Sequence, residues 1–169
     1  MITLVIGGTR SGKSDVAGHV AAALGEPVTV VVPTVVADES FAQRVRAHQA
    51  RRPDSWPTVE CGPALPDAVG TASGTVLVDS LGSWVAATDG FVVDTTALLD
   101  ALRRRPDPTV LVTEEVGLSV HAPTEAGRRF TDQLGELNAA VAAAADQVLL
   151  VVAGRVTRLE RFDPSRGAP

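Results

Sequence analysis

The chain has 169 residues, 45% of them hydrophobic and 21% charged, with a net charge of -5 and a pI near 5.1. This length suits one domain over residues 1–169 with its last several residues frayed, and the acidic balance argues against nucleic acid as a partner. No apolar stretch reaches the roughly 18 residues of a membrane span, and "MITLVIGG" runs straight into a strand-like segment, so a cytoplasmic protein is expected rather than an exported or integral membrane one.

In chain order, unbroken Val/Ile/Leu runs at 2–6, 28–32, 75–79, 109–113 and 147–152 read as strands buried on both faces. Helix-like stretches fall between them at 13–24, 38–51, 95–104 and 124–145. Strand and helix alternate throughout, which predicts an α/β fold with a mostly parallel sheet and helices on both faces. On 124–145, Ala126, Phe130, Leu134, Leu137, Val141 and Ala144 form one apolar stripe. Residues 61–74 are rich in Gly and Pro and read as an irregular connection with one helical turn, "RRRPDP" at 103–108 ends a helix, and the tail after Gly154 reads as fraying near its end. Cys61 is the single cysteine, so an intramolecular disulfide is impossible, and it reads as a structural thiol.

The segment "GGTRSGKS" places Gly7, Gly8, Thr9, Arg10, Ser11, Gly12, Lys13 and Ser14 directly after the first strand and before the first helix. This is the G-x-x-x-x-G-K-[ST] pattern of a P-loop NTPase-like domain. Its glycines allow a tight loop whose amides converge on phosphate oxygens at the positive end of a helix. Lys13 is the only lysine among 15 basic residues, and it occupies the position that needs a compact, flexible ammonium on the β and γ phosphates. Ser14 is placed to ligate Mg²⁺. Arg10 reads either as a further phosphate ligand or as a solvated side chain.

A magnesium–nucleotide site needs a carboxylate, and Asp79 ends a buried strand at the edge where parallel sheets bind ligands. The competing role for such an Asp is a helix N-cap. Glu114 and Glu115 end the next strand, where either could orient water on Mg²⁺ or accept a proton from a substrate hydroxyl. Adjacent carboxylates point in different directions, so at most one is expected to face the site. Asp38 and Glu39 read as first-turn acids of a helix.

If residues 38–51 are helical, Arg44, His48, Arg51 and Arg52 share one face. Neighbouring guanidinium groups would keep the imidazole neutral and hold phosphate oxygens, and a neutral imidazole can attack phosphorus. Phe41 and Val45 lie close by in the same helix, so His48 also reads as a packing residue at the margin of an apolar stripe.

The combination of "GGTRSGKS", R-x-x-x-H-x-x-x-R-P-x-x-W over Arg44 to Trp56, and E-V-G at Glu115 followed by R-x-F-x-D-x-x-G-x-x-N over Arg128 to Asn138 is specific. Over nearly its whole length the chain resembles the bifunctional adenosylcobinamide kinase and adenosylcobinamide-phosphate guanylyltransferase family of cobalamin biosynthesis. The resemblance implies phosphorylation of the adenosylcobinamide aminopropanol hydroxyl by ATP or GTP, then GMP transfer from GTP to give adenosylcobinamide-GDP. It implies that His48 carries the GMP, that the P-loop grips the triphosphate, that Asp79 and Ser14 hold Mg²⁺, and that Glu115 helps bind the nucleotide or its metal. It also implies a homo-oligomer, a trimer, with sites between subunits. Departures from the family pattern are Glu114 where an Asn commonly precedes E-V-G, Ser119 for a Gly, Thr131 for an Arg, a displaced Pro123, and a short segment between Asp79 and Thr109. They bear on the substrate pocket more than on the chemistry. His121 reads as a loop residue and His19 as structural. Two other readings are a P-loop small-molecule kinase without GMP transfer and a nucleotide-dependent switch; the chain has no N-K-x-D guanine-reading motif to favour the second.

Overall fold

A computed structural model describes residues 1–34, 53–118 and 122–163. Their elements in chain order are β1 (Ile2–Gly7), α1 (Lys13–Leu24), β2 (Val28–Val32), β3 (Thr58–Glu60), α2 (Leu65–Thr71), β4 (Thr75–Asp79) and α3 (Leu81–Ala87). A 3-10 turn at Asp89–Phe91 follows, then α4 (Thr95–Arg104), β5 (Thr109–Glu114), α5 (Glu125–Ala144), β6 (Gln147–Val152) and β7 (Arg155–Leu159). The strands form one sheet in the order β3-β2-β4-β5-β1-β6-β7, parallel except for the β6–β7 hairpin. The expected α/β class with a mostly parallel sheet is therefore observed.

The period of two along each strand divides the core into layers. Leu4, Val31, Val76, Val78 and Leu111 face α2, α3, α4 and α5, meeting Leu65, Val69, Trp84, Leu98 and Leu137. Val5, Val30, Leu77, Val110 and Val112 face the opposite way onto Ala17 and Ala21 of α1. Small alanines on α1 let that helix lie close over β4 and β5. All the strands at the centre are thus covered on both sides, which is why their sequences are unbroken apolar runs rather than alternating ones.

Four elements escape the sequence pattern for identifiable reasons. β3 has three residues, all exposed, at the sheet edge. α2 is two turns rather than the single turn expected of residues 61–74; Leu65 and Val69 bury one side of it. The Arg105 guanidinium closes its far end, donating to the carbonyl oxygens of Val69, Ala72 and Gly74. Burial lowers the pKa of Arg105 from its ordinary value, an effect opposed by the nearby Asp107 charge. α3 contains Gly82, a poor helix former, yet Leu81, Trp84 and Val85 at helical spacing are all buried. β7 is exposed at every residue, so its strand character comes from pairing with β6 through a tight Ala153-Gly154 turn in which both residues have positive φ, at 49° and 72°. Residues 155–159 therefore form a strand that no apolar run announces.

The helix expected at 38–51 lies outside the described residues, together with His48, Arg44, Arg51, Arg52, Asp38, Glu39, Phe41 and Val45. Ser119 and His121 lie outside them as well. The chain re-enters beside β2, where Trp56 is 7% exposed and its indole N–H donates to Glu26 Oε1 at 2.8 Å.

Candidate functional site

The loop between β1 and α1 has the geometry its glycines allow. Gly12, the residue before α1, sits at φ 92°, ψ 8°, a left-handed conformation that strains any residue with a Cβ. Within the loop, Ser11 N–H donates to Gly8 O at 3.2 Å. The loop is also braced from outside: Gly154 N–H, in the β6–β7 turn, donates to Ser11 O at 2.8 Å, and Glu115 N–H donates to Gly7 O at 3.1 Å. Gly8, Thr9 and Arg10 are exposed, Ser11 is buried, and Ser14 is half-buried in the first turn of α1. The Ser11 hydroxyl is buried with no hydrogen-bond partner among the described residues.

Lys13 opens α1. Its ammonium lies 3.4 Å from Gly8 O and 3.6 Å from Glu114 Oε1, and its side chain is only 13% exposed. Strand order explains the second contact. β5 lies between β1 and the Asp79 strand β4, with Gly7 in register with Glu114 and Asp79 in register with Val112. At ~4.8 Å between neighbouring strands, Asp79 is two strands, roughly 10 Å, from the P-loop strand, and the residue directly beside the loop is Glu114. Asp79 is half-buried at the same carboxyl edge of the sheet, followed by Ser80, whose hydroxyl caps α3 by accepting from Ser83 N–H at 3.3 Å. The N-cap duty weighed for Asp79 thus falls to its neighbour.

The two adjacent glutamates separate as strand geometry requires. Glu114 points toward Lys13 and accepts from the Ser80 hydroxyl, Oε1 and Oε2 at 3.1 and 3.2 Å. A Cβ at position 82 would fall 2.0 Å from Glu114 Oε2, so Gly82 is the residue that leaves room for this carboxylate. Glu115 turns into its own loop and accepts from the N–H groups of Gly117 at 2.7 Å and Leu118 at 3.1 Å. It also lines a cavity of about 480 Å³ with Ile6, Gly117, Asp132, Glu136 and Asn138.

Asn138 interrupts the apolar stripe of α5 and is 9% exposed. Its Oδ1 accepts from Thr113 Oγ1 at 2.6 Å, and its Nδ2 donates to Glu114 O at 2.9 Å. This amide ties α5 to the last two residues of β5 and so sets where Glu114 and Glu115 diverge. Ser80, Gly82, Asn138 and Gly154 are site-building residues that sequence reasoning did not assign. A polar residue beside Leu134 and Leu137 on a buried face was the available signal for Asn138; the others depend on strand neighbours.

The donor chemistry fits magnesium. Ser14 offers a hydroxyl and Asp79 a carboxylate, both hard oxygen ligands, and among the described residues there is no group of three His, Cys, Asp or Glu that would form a self-sufficient metal cage. Mg²⁺ commonly takes one or two protein oxygens and completes its shell with phosphate and water. Among the described residues, no helix is long and apolar enough to cross a membrane.

A family model described as cobinamide kinase / cobinamide phosphate guanyltransferase matches residues 3–159. The bifunctional adenosylcobalamin biosynthesis protein CobP of Pseudomonas aeruginosa is 34% identical over 166 residues, covering 91% of this chain and 94% of that protein. The bifunctional adenosylcobalamin biosynthesis proteins CobU of Salmonella typhimurium and Escherichia coli are 33% and 32% identical, each over 178 residues, 91% of this chain and 97% of theirs. Among solved structures, the P4 protein from bacteriophage phi6 in complex with ADP superposes with a TM-score of 0.47 at 17% identity, covering 92% of this chain and 52% of that one.

Proposed function

The chain belongs to the cobinamide kinase / cobinamide phosphate guanyltransferase family, and from that premise we propose the following division of labour among its residues. The enzyme acts twice on small molecules in cobalamin biosynthesis. In the first reaction the aminopropanol hydroxyl of adenosylcobinamide attacks the γ-phosphorus of ATP or GTP; the β–γ bridging P–O bond breaks and the nucleoside diphosphate leaves. In the second, a His48 ring nitrogen attacks the α-phosphorus of GTP and pyrophosphate leaves. An oxygen of adenosylcobinamide phosphate then displaces the imidazole, giving adenosylcobinamide-GDP and restoring His48.

The observation that carries this reading is the phosphate loop, with its left-handed Gly12 and its single shielded lysine, in a chain that shares the family's pattern over most of its length. Lys13 neutralises charge on the β and γ phosphates, and the loop amides from Gly7 to Gly12 orient them. Positioning and charge neutralisation supply most of the rate in phosphoryl transfer. Ser14 and Asp79 would hold Mg²⁺, which when bound supplies further charge neutralisation on the phosphates. Arg44, Arg51 and Arg52 are assigned to phosphate oxygens by their spacing from His48. Glu115 is assigned to the nucleotide side of the site by its place in E-V-G. One domain over residues 1–169, a cytoplasmic location and a trimer belong to the same proposal.

The test is incubation of the protein with Mg²⁺ and GTP labelled at the α-phosphate, then denaturation and intact-mass measurement. An acid-labile GMP adduct present in the wild type and absent from His48→Ala is expected. Phosphorylation of cobinamide with no adduct in the wild type would leave a kinase alone.

A further inference from the structure

We propose that Glu114 is a catalytic residue of the phosphorylation step: its carboxylate accepts the hydrogen bond of the attacking hydroxyl and takes its proton. The proposal rests on the kinase half of the function above and adds a residue that the family pattern does not supply, since an Asn commonly stands at this position.

Three observations place Glu114 there. It ends β5, in register with Gly7 at the start of the phosphate loop, and so stands closer to the loop than Asp79 does. Its carboxylate lies 3.6 Å from the ammonium assigned to the β and γ phosphates, so a phosphoryl group held by Lys13 lies within reach of the same carboxylate. It is also built in. The Ser80 hydroxyl donates to both of its oxygens, Asn138 fixes its backbone carbonyl, and Gly82 opens the space that Oε2 occupies. A surface carboxylate would have none of these supports. Charged groups at the same edge of the sheet include Lys13 from α1, Asp79 at the end of β4, and Glu115, whose carboxylate is turned to the amides of Gly117 and Leu118. From α3 and α5, Gly82 stands against its carboxylate and Asn138 against its backbone carbonyl, and the acidic Asp132 and Glu136 of α5 line the adjoining cavity with Glu115.

Without nucleotide, Glu114 is the counter-ion of Lys13. When a triphosphate takes Lys13, the carboxylate is freed toward the acceptor. As the hydroxyl oxygen bonds to the γ-phosphorus and the β–γ bridge breaks, the O–H proton passes to Glu114, and water removes it after the nucleoside diphosphate leaves. An amide at this position can accept the same hydrogen bond but cannot take the proton, so the chemistry distinguishes orientation from base catalysis.

The experiment is steady-state phosphorylation of cobinamide by Mg²⁺-ATP or Mg²⁺-GTP across pH, for wild type, Glu114→Gln and Glu114→Ala, with thermal melts of each. Glu114→Gln is expected to lower kcat about 100-fold or more and to lose the low-pH limb of the kcat profile. Its KM for triphosphate should be no higher than wild type, because Lys13 loses a competing partner. Sodium formate is expected to restore part of the turnover of Glu114→Ala, which keeps the idea testable should the Gln variant fold poorly. A kcat for Glu114→Gln within about threefold of wild type with the low-pH limb intact overturns the proposal. So does a loss confined to KM. A wild-type protein that leaves cobinamide unphosphorylated would instead overturn the function on which the proposal stands.

Discussion

Replacing Asn138 with Leu removes the amide that joins α5 to the end of β5, and the structure sets the size of the effect. Thr113 Oγ1, in a residue 0% exposed, would lose its acceptor at 2.6 Å. A buried hydroxyl stranded in this way costs about 1–3 kcal/mol. The Glu114 carbonyl would lose its donor at 2.9 Å, but Glu114 is half-buried, so water can replace it and the net loss is about 1 kcal/mol. The sum is about 2–4 kcal/mol, and at roughly 2–4 °C per kcal/mol for a chain of this size the melting temperature should fall by roughly 5–15 °C. Differential scanning calorimetry of the purified variant reads this directly. Thr113→Val in the same background removes the stranded hydroxyl and should recover about 1–3 kcal/mol, so the double-mutant cycle should show strong coupling. A melting temperature for Asn138→Leu within about 2 °C of wild type, or a Thr113→Val change that only adds to the damage, would refute the reasoning.

Lys13→Ala should abolish triphosphate-dependent phosphorylation of cobinamide while leaving the melting temperature within a few degrees, because the side chain it removes packs no apolar core; retained turnover measured by nucleoside diphosphate release would remove the phosphate-loop assignment. Cys61 is half-buried, and burial raises its thiol pKa against the lowering effect of a backbone hydrogen bond. The protonated thiol is therefore the form favoured by folding, so its contribution to stability is complete below the unfolded value and fades as pH climbs through the higher folded one. Iodoacetamide at pH 8 should alkylate Cys61 several-fold more slowly in the native protein than in urea, as followed by mass; equal rates would contradict the burial.

The strands at 2–6, 28–32, 75–79 and 109–113 were legible in the sequence because each is covered on both faces, and burial of that kind writes an uninterrupted apolar run; the run at 147–152 is fully buried on one face only, at Leu149 and Val151. The phosphate loop was legible for a different reason. Its function needs backbone amides, and only glycine at Gly12 tolerates the φ of 92° that gathers them. Both are local requirements, met within a few consecutive residues.

Tertiary structure alone decided what stands next to what. Insertion of β5 between β1 and β4 placed Glu114, rather than Asp79, beside Lys13, and no spacing along the chain records a strand order. The opposite turns of Glu114 and Glu115 were foreseen, but which of them meets the lysine depended on the register of Gly7 with Glu114. Asn138 was visible as a motif letter and as a polar residue on an apolar stripe, but its partners, Thr113 and the Glu114 carbonyl, appeared only when α5 was laid across the end of β5. β7 had no sequence signal, since all five of its residues are exposed and its strand form comes from pairing with β6. The sequence specifies each segment through short-range sterics and the period of its apolar residues. Contacts between residues far apart in the chain follow from how those segments pack, and the chemistry at the carboxyl edge of the sheet is made of such contacts.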